Sequence, residues 1–231
     1  MVELALLVAV VVVLLTAALA FLLAPKKQID SILLVGMCGA GKTSLYSRLR
    51  EGRLLPTVTS MTENACVMEP GSLHAKQVRL VDLAGHPRLR SRREKYTASA
   101  KGIVVMVDAV DLLPNVNGTS ELLLELFTDP VLMRKRVPVL VACNKTDRIT
   151  AYSEAQVQKR LEREIQQLRS TREALTDTAE KGAKSDSLAT KSKTKAGSTF
   201  KMDDAPLQVQ FCEVSVLNDK VAPIREFIET C

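Results

Sequence analysis

Gly36-Met37-Cys38-Gly39-Ala40-Gly41-Lys42-Thr43 directly follows the apolar run Ile32–Val35. The pattern is G-x-x-x-x-G-K-T at the end of a predicted strand, and the helix-forming segment 42–51 comes next. That strand–loop–helix setting lets glycine-bordered backbone N–H groups turn inward around phosphate oxygens, with a helix N-terminus behind them. Lys42 has the reach for the outer phosphates, and the Thr43 hydroxyl suits a Mg2+ ion held between them. Ser44, the next helical residue, is placed with the same cradle.

Outward from this loop, strands and helices alternate. Strands are expected at 31–36, 64–69, 77–82, 102–108, 137–143 and 207–212. Helices are expected at 42–51, 89–100, 118–127, 153–173 and 220–230. The order predicts an α/β fold, a mostly parallel central sheet with helices on both faces. The runs Ile103–Val107 and Val137–Ala142 are continuous rather than alternating, as strands covered on both faces should be. Ligand-binding loops in such folds gather at the carboxyl ends of the strands.

Asn144-Lys145-Thr146-Asp147 sits at one of those ends, about 100 residues beyond the phosphate loop. N-K-x-D there is the guanine-reading motif of GTPases. The Asp147 carboxylate offers two acceptors to the adjacent N1 and N2 donors of guanine, and adenine would leave it unpaired. The Lys145 stem can lie along the base, and Asn144 can tie this loop to the phosphate loop. Asp82-Leu83-Ala84-Gly85-His86 closes another strand. A carboxylate at Asp82 reaches the metal through water, and the Gly85 N–H can bond a γ-phosphate. His86 can orient an attacking water or cap the turn before Pro87, and the residues leave both open. Thr57-Val58-Thr59-Ser60 lies between the first helix and the second strand. A threonine there would complete the Mg2+ shell, and either Thr57 or Thr59 fits. Past the last strand, Ser215 and Val216 stand where a further base-contacting loop belongs, and Val216 can supply an N–H. Leu217 takes the place of the usual lysine.

The run from Leu4 to Ala24 carries no charge. At about 1.5 Å rise per residue it spans a hydrocarbon core of about 30 Å. It is too long for a secretory signal, and Lys26-Lys27 follows it, so the expectation is one transmembrane anchor at 1–25. The lysines keep everything beyond it, a GTP-binding domain at 29–231, in the cytosol. The net charge of +6 suits an anionic lipid surface or an acidic partner, and no direct DNA binding is expected. The five cysteines show neither zinc spacing nor a disulfide framework. The stretch 176–204 is rich in Lys, Ser, Thr and Ala, and reads as a flexible insertion before the last strand. Arg88–Lys95 reads first as a solvated basic helix face.

The anchor, the phosphate loop, Asp82–His86 and Ala142–Asp147 together resemble the beta subunits of the signal recognition particle receptor. The insertion and Leu168-Arg169-Ser170-Thr171-Arg172 ahead of it fit the same likeness, which covers nearly the whole chain. Pro56-Thr57-Val58 is similar to the Arf-type small GTPases and favours Thr57 for the metal. The resemblance implies a single-pass protein of the endoplasmic reticulum membrane. Its GTP-bound form would dock the peripheral alpha subunit as a heterodimer. Through that subunit it would serve the signal recognition particle, the ribosome and the translocon. It also implies GTP and Mg2+ as ligands and slow intrinsic hydrolysis. The alternatives are an Arf- or Sar-like vesicle-traffic GTPase and a scaffold that holds GTP permanently.

Overall fold

The computed structural model describes residues 29–55, 63–68, 77–83, 94–179 and 199–231, and Thr16 alone before them. Six strands form one sheet: β1 (Ser31–Gly36), β2 (Asn64–Met68), β3 (Val78–Asp82), β4 (Ala100–Asp108), β5 (Val139–Asn144) and β6 (Val209–Glu213). Their spatial order is β2-β3-β1-β4-β5-β6. All neighbours run parallel except β2, which pairs antiparallel with β3 at one edge. The expected fold class is therefore met in its sheet.

Strand burial follows position. β1 and β5 are buried at every residue, whereas edge strand β2 alternates between covered and exposed. Because successive side chains point to opposite faces, each continuous apolar run feeds two cores. Ile32, Leu34, Val104, Met106, Leu140 and Ala142 face one, beneath α1 (Lys42–Glu51) and α6 (Ala222–Thr230). Leu33, Val35, Ile103, Val105, Val139 and Val141 face the other, beneath α3 (Leu112–Thr128) and α5 (Glu154–Ala179). The predicted stripe on α5 is present: Val157, Leu161 and Ile165 are fully buried, and Leu168 packs against them. Cys143 and Cys212 fill core space, and burial pushes the Cys212 thiol up to about 12.

Three elements differ from expectation. α3 starts at Leu112 rather than 118; Pro114 lies in its first turn, where a missing N–H costs no helical bond. α4 (Pro130–Lys135) was not anticipated. Its signal is local: the Asp129 carboxylate caps it by accepting from the N–H groups of Val131 (2.8 Å) and Leu132 (3.2 Å), with proline next in line. Of the helix expected at 89–100, residues 94–100 are described, and only Glu94–Thr97 is helical, as α2; the chain turns after Thr97 and Ala100 already opens β4.

Order also reaches into both ends of the stretch 176–204. The α5 helix runs to Ala179, and Phe200 and Met202 are buried. Their N–H groups donate to Gln166 Oε1 and Glu162 Oε1 at 3.0 and 2.9 Å, and the Phe200 ring lies 6.5 Å from that of Phe127. The remainder, 180–198, lies outside the described residues. So does the expected membrane span apart from Thr16; among the described residues no helix is long and apolar enough to cross a membrane.

Candidate nucleotide site

The carboxyl ends of β1, β3, β4 and β5 lie side by side. Register pairs Leu34 with Asp82, Gly36 with Met106, and Asp108 with Asn144. That alignment brings the phosphate loop, the Asp82 carboxylate and the N-K-x-D segment to one rim of the sheet.

Two glycines of the loop are required by space as well as by conformation. Gly36 has φ 140°, and a Cβ there would meet the Met106 carbonyl oxygen at 2.3 Å. Gly41 has φ 95°, and a Cβ would meet Asn144 Nδ2 at 2.3 Å. Between them Met37 lies against Gly118 of α3, Cys38 and Gly39 are exposed, and Ala40 is buried. Lys42 folds back over the loop and donates from Nζ to the Met37 carbonyl at 2.9 Å. It is 6% exposed. Burial lowers its affinity for a proton, and the nearby Asp82 charge works against that.

The Thr43 hydroxyl donates to Asp82 Oδ2 at 2.8 Å, and Asn64 Nδ2 donates to the same oxygen at 3.3 Å. Asp82 Oδ1 is buried and has no hydrogen-bond partner among the described residues. Burial raises the Asp82 pKa, opposed by the bonds from Thr43 and Asn64 and by Lys42. A buried carboxylate oxygen without a donor, beside a hydroxyl and a lysine, is suited to a small hard cation or its water shell. The residues present therefore fit Mg2+.

On the base side, Asn144 is the joint. Its Nδ2 donates to the Ala40 carbonyl at 2.9 Å, and its Oδ1 accepts the Val216 N–H at 3.1 Å. The expected tie between the two loops is present. The Val216 N–H differs from expectation: it is committed to Asn144 and builds the loop rather than facing the base. Lys145 has φ 68°. Ser215 is fully buried, and its hydroxyl donates to Asp147 Oδ1 at 2.6 Å. That bond is the first cause holding Asp147 below the ordinary carboxylate range, so it stays an ionised acceptor at neutral pH. The residue itself is exposed.

Two residues of the rim were missed by sequence reasoning. Asp108 accepts from the Val110 and Asp111 N–H groups at 3.0 and 3.1 Å through Oδ1, and Oδ2 pairs with Lys145 Nζ. It orients the lysine of the base-reading motif, and its signal was its place at the end of a buried strand, as for Asp82. Arg48 in α1 reaches the loop after β6; no motif marks it. Thr57, Val58, Thr59, Ser60, Gly85 and His86 lie outside the described residues, so the γ-phosphate and catalytic side of the expected site does too.

A parallel sheet with a phosphate loop, a metal-side aspartate and an N-K-x-D segment on one rim defines the small-GTPase class of α/β proteins. The family model described as signal recognition particle receptor beta subunit matches residues 27–209. The human signal recognition particle receptor subunit beta is 35% identical, over 90% of this chain and 76% of its own length. The solved structure of the mammalian SRP receptor superposes with a TM-score of 0.73 at 28% identity, covering 87% of this chain and 99% of that one. The SRb-GTP/SRX complex from Chaetomium thermophilum shares the fold, with a TM-score of 0.64 at 21% identity over 87% of this chain and 98% of that chain. This chain belongs to the signal recognition particle receptor beta subunit family.

Proposed function

We propose that this chain is the membrane-anchored, guanine-nucleotide-binding subunit of a signal recognition particle receptor, docking the alpha subunit when GTP is bound. The observation that carries the reading is Asn144, whose side chain joins the phosphate loop to the base loop in a chain of this family. Gly36–Ser44 surround the phosphates, with Lys42 on the outer ones. Mg2+, which supplies charge neutralisation between the phosphates, would be held by Thr43, by Thr57 or Thr59, and by Asp82 through water. Asp147 reads guanine, Lys145 lies beside the base, and Ser215 and Val216 fix the loop around it. Gly85 senses the γ-phosphate, so the segment around it is held in the triphosphate state and released after hydrolysis. His86 orients water, and turnover by the chain alone is slow.

Residues 1–25 would anchor this domain, 29–231, to the cytosolic face of the endoplasmic reticulum, and the signal recognition particle, ribosome and translocon are reached through the alpha subunit. Support for the partner comes from the family match, and for the anchor from the uncharged run 4–24.

The test loads full-length chain in detergent with a non-hydrolysable GTP analogue or with GDP. The N-terminal domain of the alpha subunit should be captured by the first and at least about tenfold less by the second. Equal capture in both states would contradict a switch and favour a permanent scaffold. In carbonate-washed membranes the chain should stay in the pellet; release to the supernatant would point to the reversible attachment of an Arf-like GTPase.

A further inference from the structure

Asp147 is exposed, so packing does not aim its carboxylate. What holds it is Ser215, and Ser215 belongs to a closed turn. Its backbone N–H donates to the Lys220 carbonyl at 3.2 Å, and the Lys220 N–H donates back at 2.9 Å. The turn includes Asp219 at φ 56°. One flank is fastened by Asn144 through the Val216 N–H. The other is fastened by Arg48, from the helix that begins at Lys42. Arg48 Nη2 donates to the carbonyls of both Val216 (3.0 Å) and Leu217 (3.1 Å), and Nε lies 3.5 Å from Asp219 Oδ1. The Arg48 side chain is only 13% exposed.

We propose that Arg48 is a positioning residue for base selection, fixing the Ser215–Lys220 turn so that Ser215 keeps Asp147 aligned with the guanine edge. The assignment rests on the guanine reading above. A planar, charged group suits this task because one terminal nitrogen serves two carbonyls while the same charge pairs with the Asp219 carboxylate without a hydrogen bond from Nε, and lysine supplies only a point charge. Hydrogen bonds from a charged donor are stronger than neutral ones. The Val216 and Leu217 carbonyls are thus satisfied from α1, and Leu217, which stands where a lysine is usual, needs no contact of its own to hold the loop. Arg48 also links the two halves of the site mechanically: its helix starts at the phosphate loop and its side chain ends at the base loop.

The experiment compares GDP with IDP, which lacks only the 2-amino group that Asp147 reads. Full-length Arg48→Ala and Arg48→Lys in detergent would be loaded with a fluorescent GDP analogue, and release rates and GDP-against-IDP competition recorded. Arg48→Ala should release GDP about tenfold faster, the scale of one lost charge-assisted hydrogen bond. The preference for GDP over IDP should narrow at least about threefold, with Arg48→Lys changed in the same direction and less. A merely structural arginine would lower thermal stability and weaken both nucleotides equally. An unchanged GDP/IDP ratio in both variants therefore overturns the assignment. If Arg48→Ala does not fold, Arg48→Lys decides by the same ratio. If the unsubstituted chain binds GDP and IDP equally, the guanine reading itself falls, and the Arg48 role with it.

Discussion

Lys42→Met should lower the affinity of the full-length chain for GTP by about a hundredfold to a few thousandfold, while leaving the nucleotide-free protein as stable as before or more so. The two halves of this result have one cause. Lys42 is almost wholly buried, and burial disfavours its charge. Among the described residues its hydrogen bond goes to the Met37 carbonyl of the loop it guards. In the nucleotide-free chain the ammonium is therefore a cost carried for function, and an apolar side chain of similar length relieves it. With a triphosphate in the cradle the same ammonium meets two or more anionic oxygens in a site shielded from water. Removing one partner of such a buried charged pair costs about 3 to 5 kcal/mol, which at about 1.4 kcal/mol per decade gives the range stated. Titration calorimetry and thermal melting measure the two halves. Unchanged GTP affinity, or a large fall in the melting temperature without nucleotide, would contradict the role given to Lys42.

Asp147→Asn should reverse base preference, with GTP weakened by about a hundredfold and XTP strengthened relative to it. The carboxylate accepts twice, as the N1 and N2 donors of guanine require. An amide replaces one acceptor with a donor, which suits the 2-oxo group of xanthine and opposes the 2-amino group of guanine. Leaving such a donor unpaired costs about 1 to 3 kcal/mol, and adding a mismatch on the ligand side increases it. The structure adds a second consequence. Ser215 donates to Asp147 Oδ1, and if the asparagine keeps its oxygen there, its NH2 is turned toward the base. The switch should therefore weaken in Asp147→Asn combined with Ser215→Ala, because nothing then selects the amide orientation. Competition between GTP and XTP for the full-length protein measures both; a variant that keeps its GTP affinity would contradict the assignment.

What the sequence revealed and what it hid follow from the range of the interactions. The phosphate loop is legible because its pattern is contiguous in sequence, a glycine at each end and a lysine and threonine opening the helix, although what excludes a Cβ at Gly36 and Gly41 is Met106 and Asn144 from distant strands. The N-K-x-D segment is legible for the same reason, and Asn144 could be foreseen as a joint because an asparagine has both a donor and an acceptor. The continuity of the apolar runs foretold a sheet covered twice, and the two cores divide β1, β4 and β5 residue by residue. The contacts of Asp108 and Arg48 could not be read in this way. Asp108 meets Lys145 only because β4 and β5 are in register at their ends, and Arg48 meets the carbonyls of Val216 and Leu217 across a separation of more than half the chain. Arg48 carries no local pattern, and Asp108 has only its place at the end of a buried strand. The edges of the stretch 176–204 were misjudged for a subtler reason. Composition averaged over the stretch favours a spacer, whereas Phe200 and Met202, two of its three large apolar residues, stand together at one end and are drawn into the core over α5.

The most direct measurement is calorimetric titration of the full-length chain, in detergent and with Mg2+ present, using non-hydrolysable analogues of GTP and ATP. The account predicts saturable binding of one guanine nucleotide per chain and no detectable heat from the adenine nucleotide at the same concentrations. Equal binding of the two, or none of either, would contradict it.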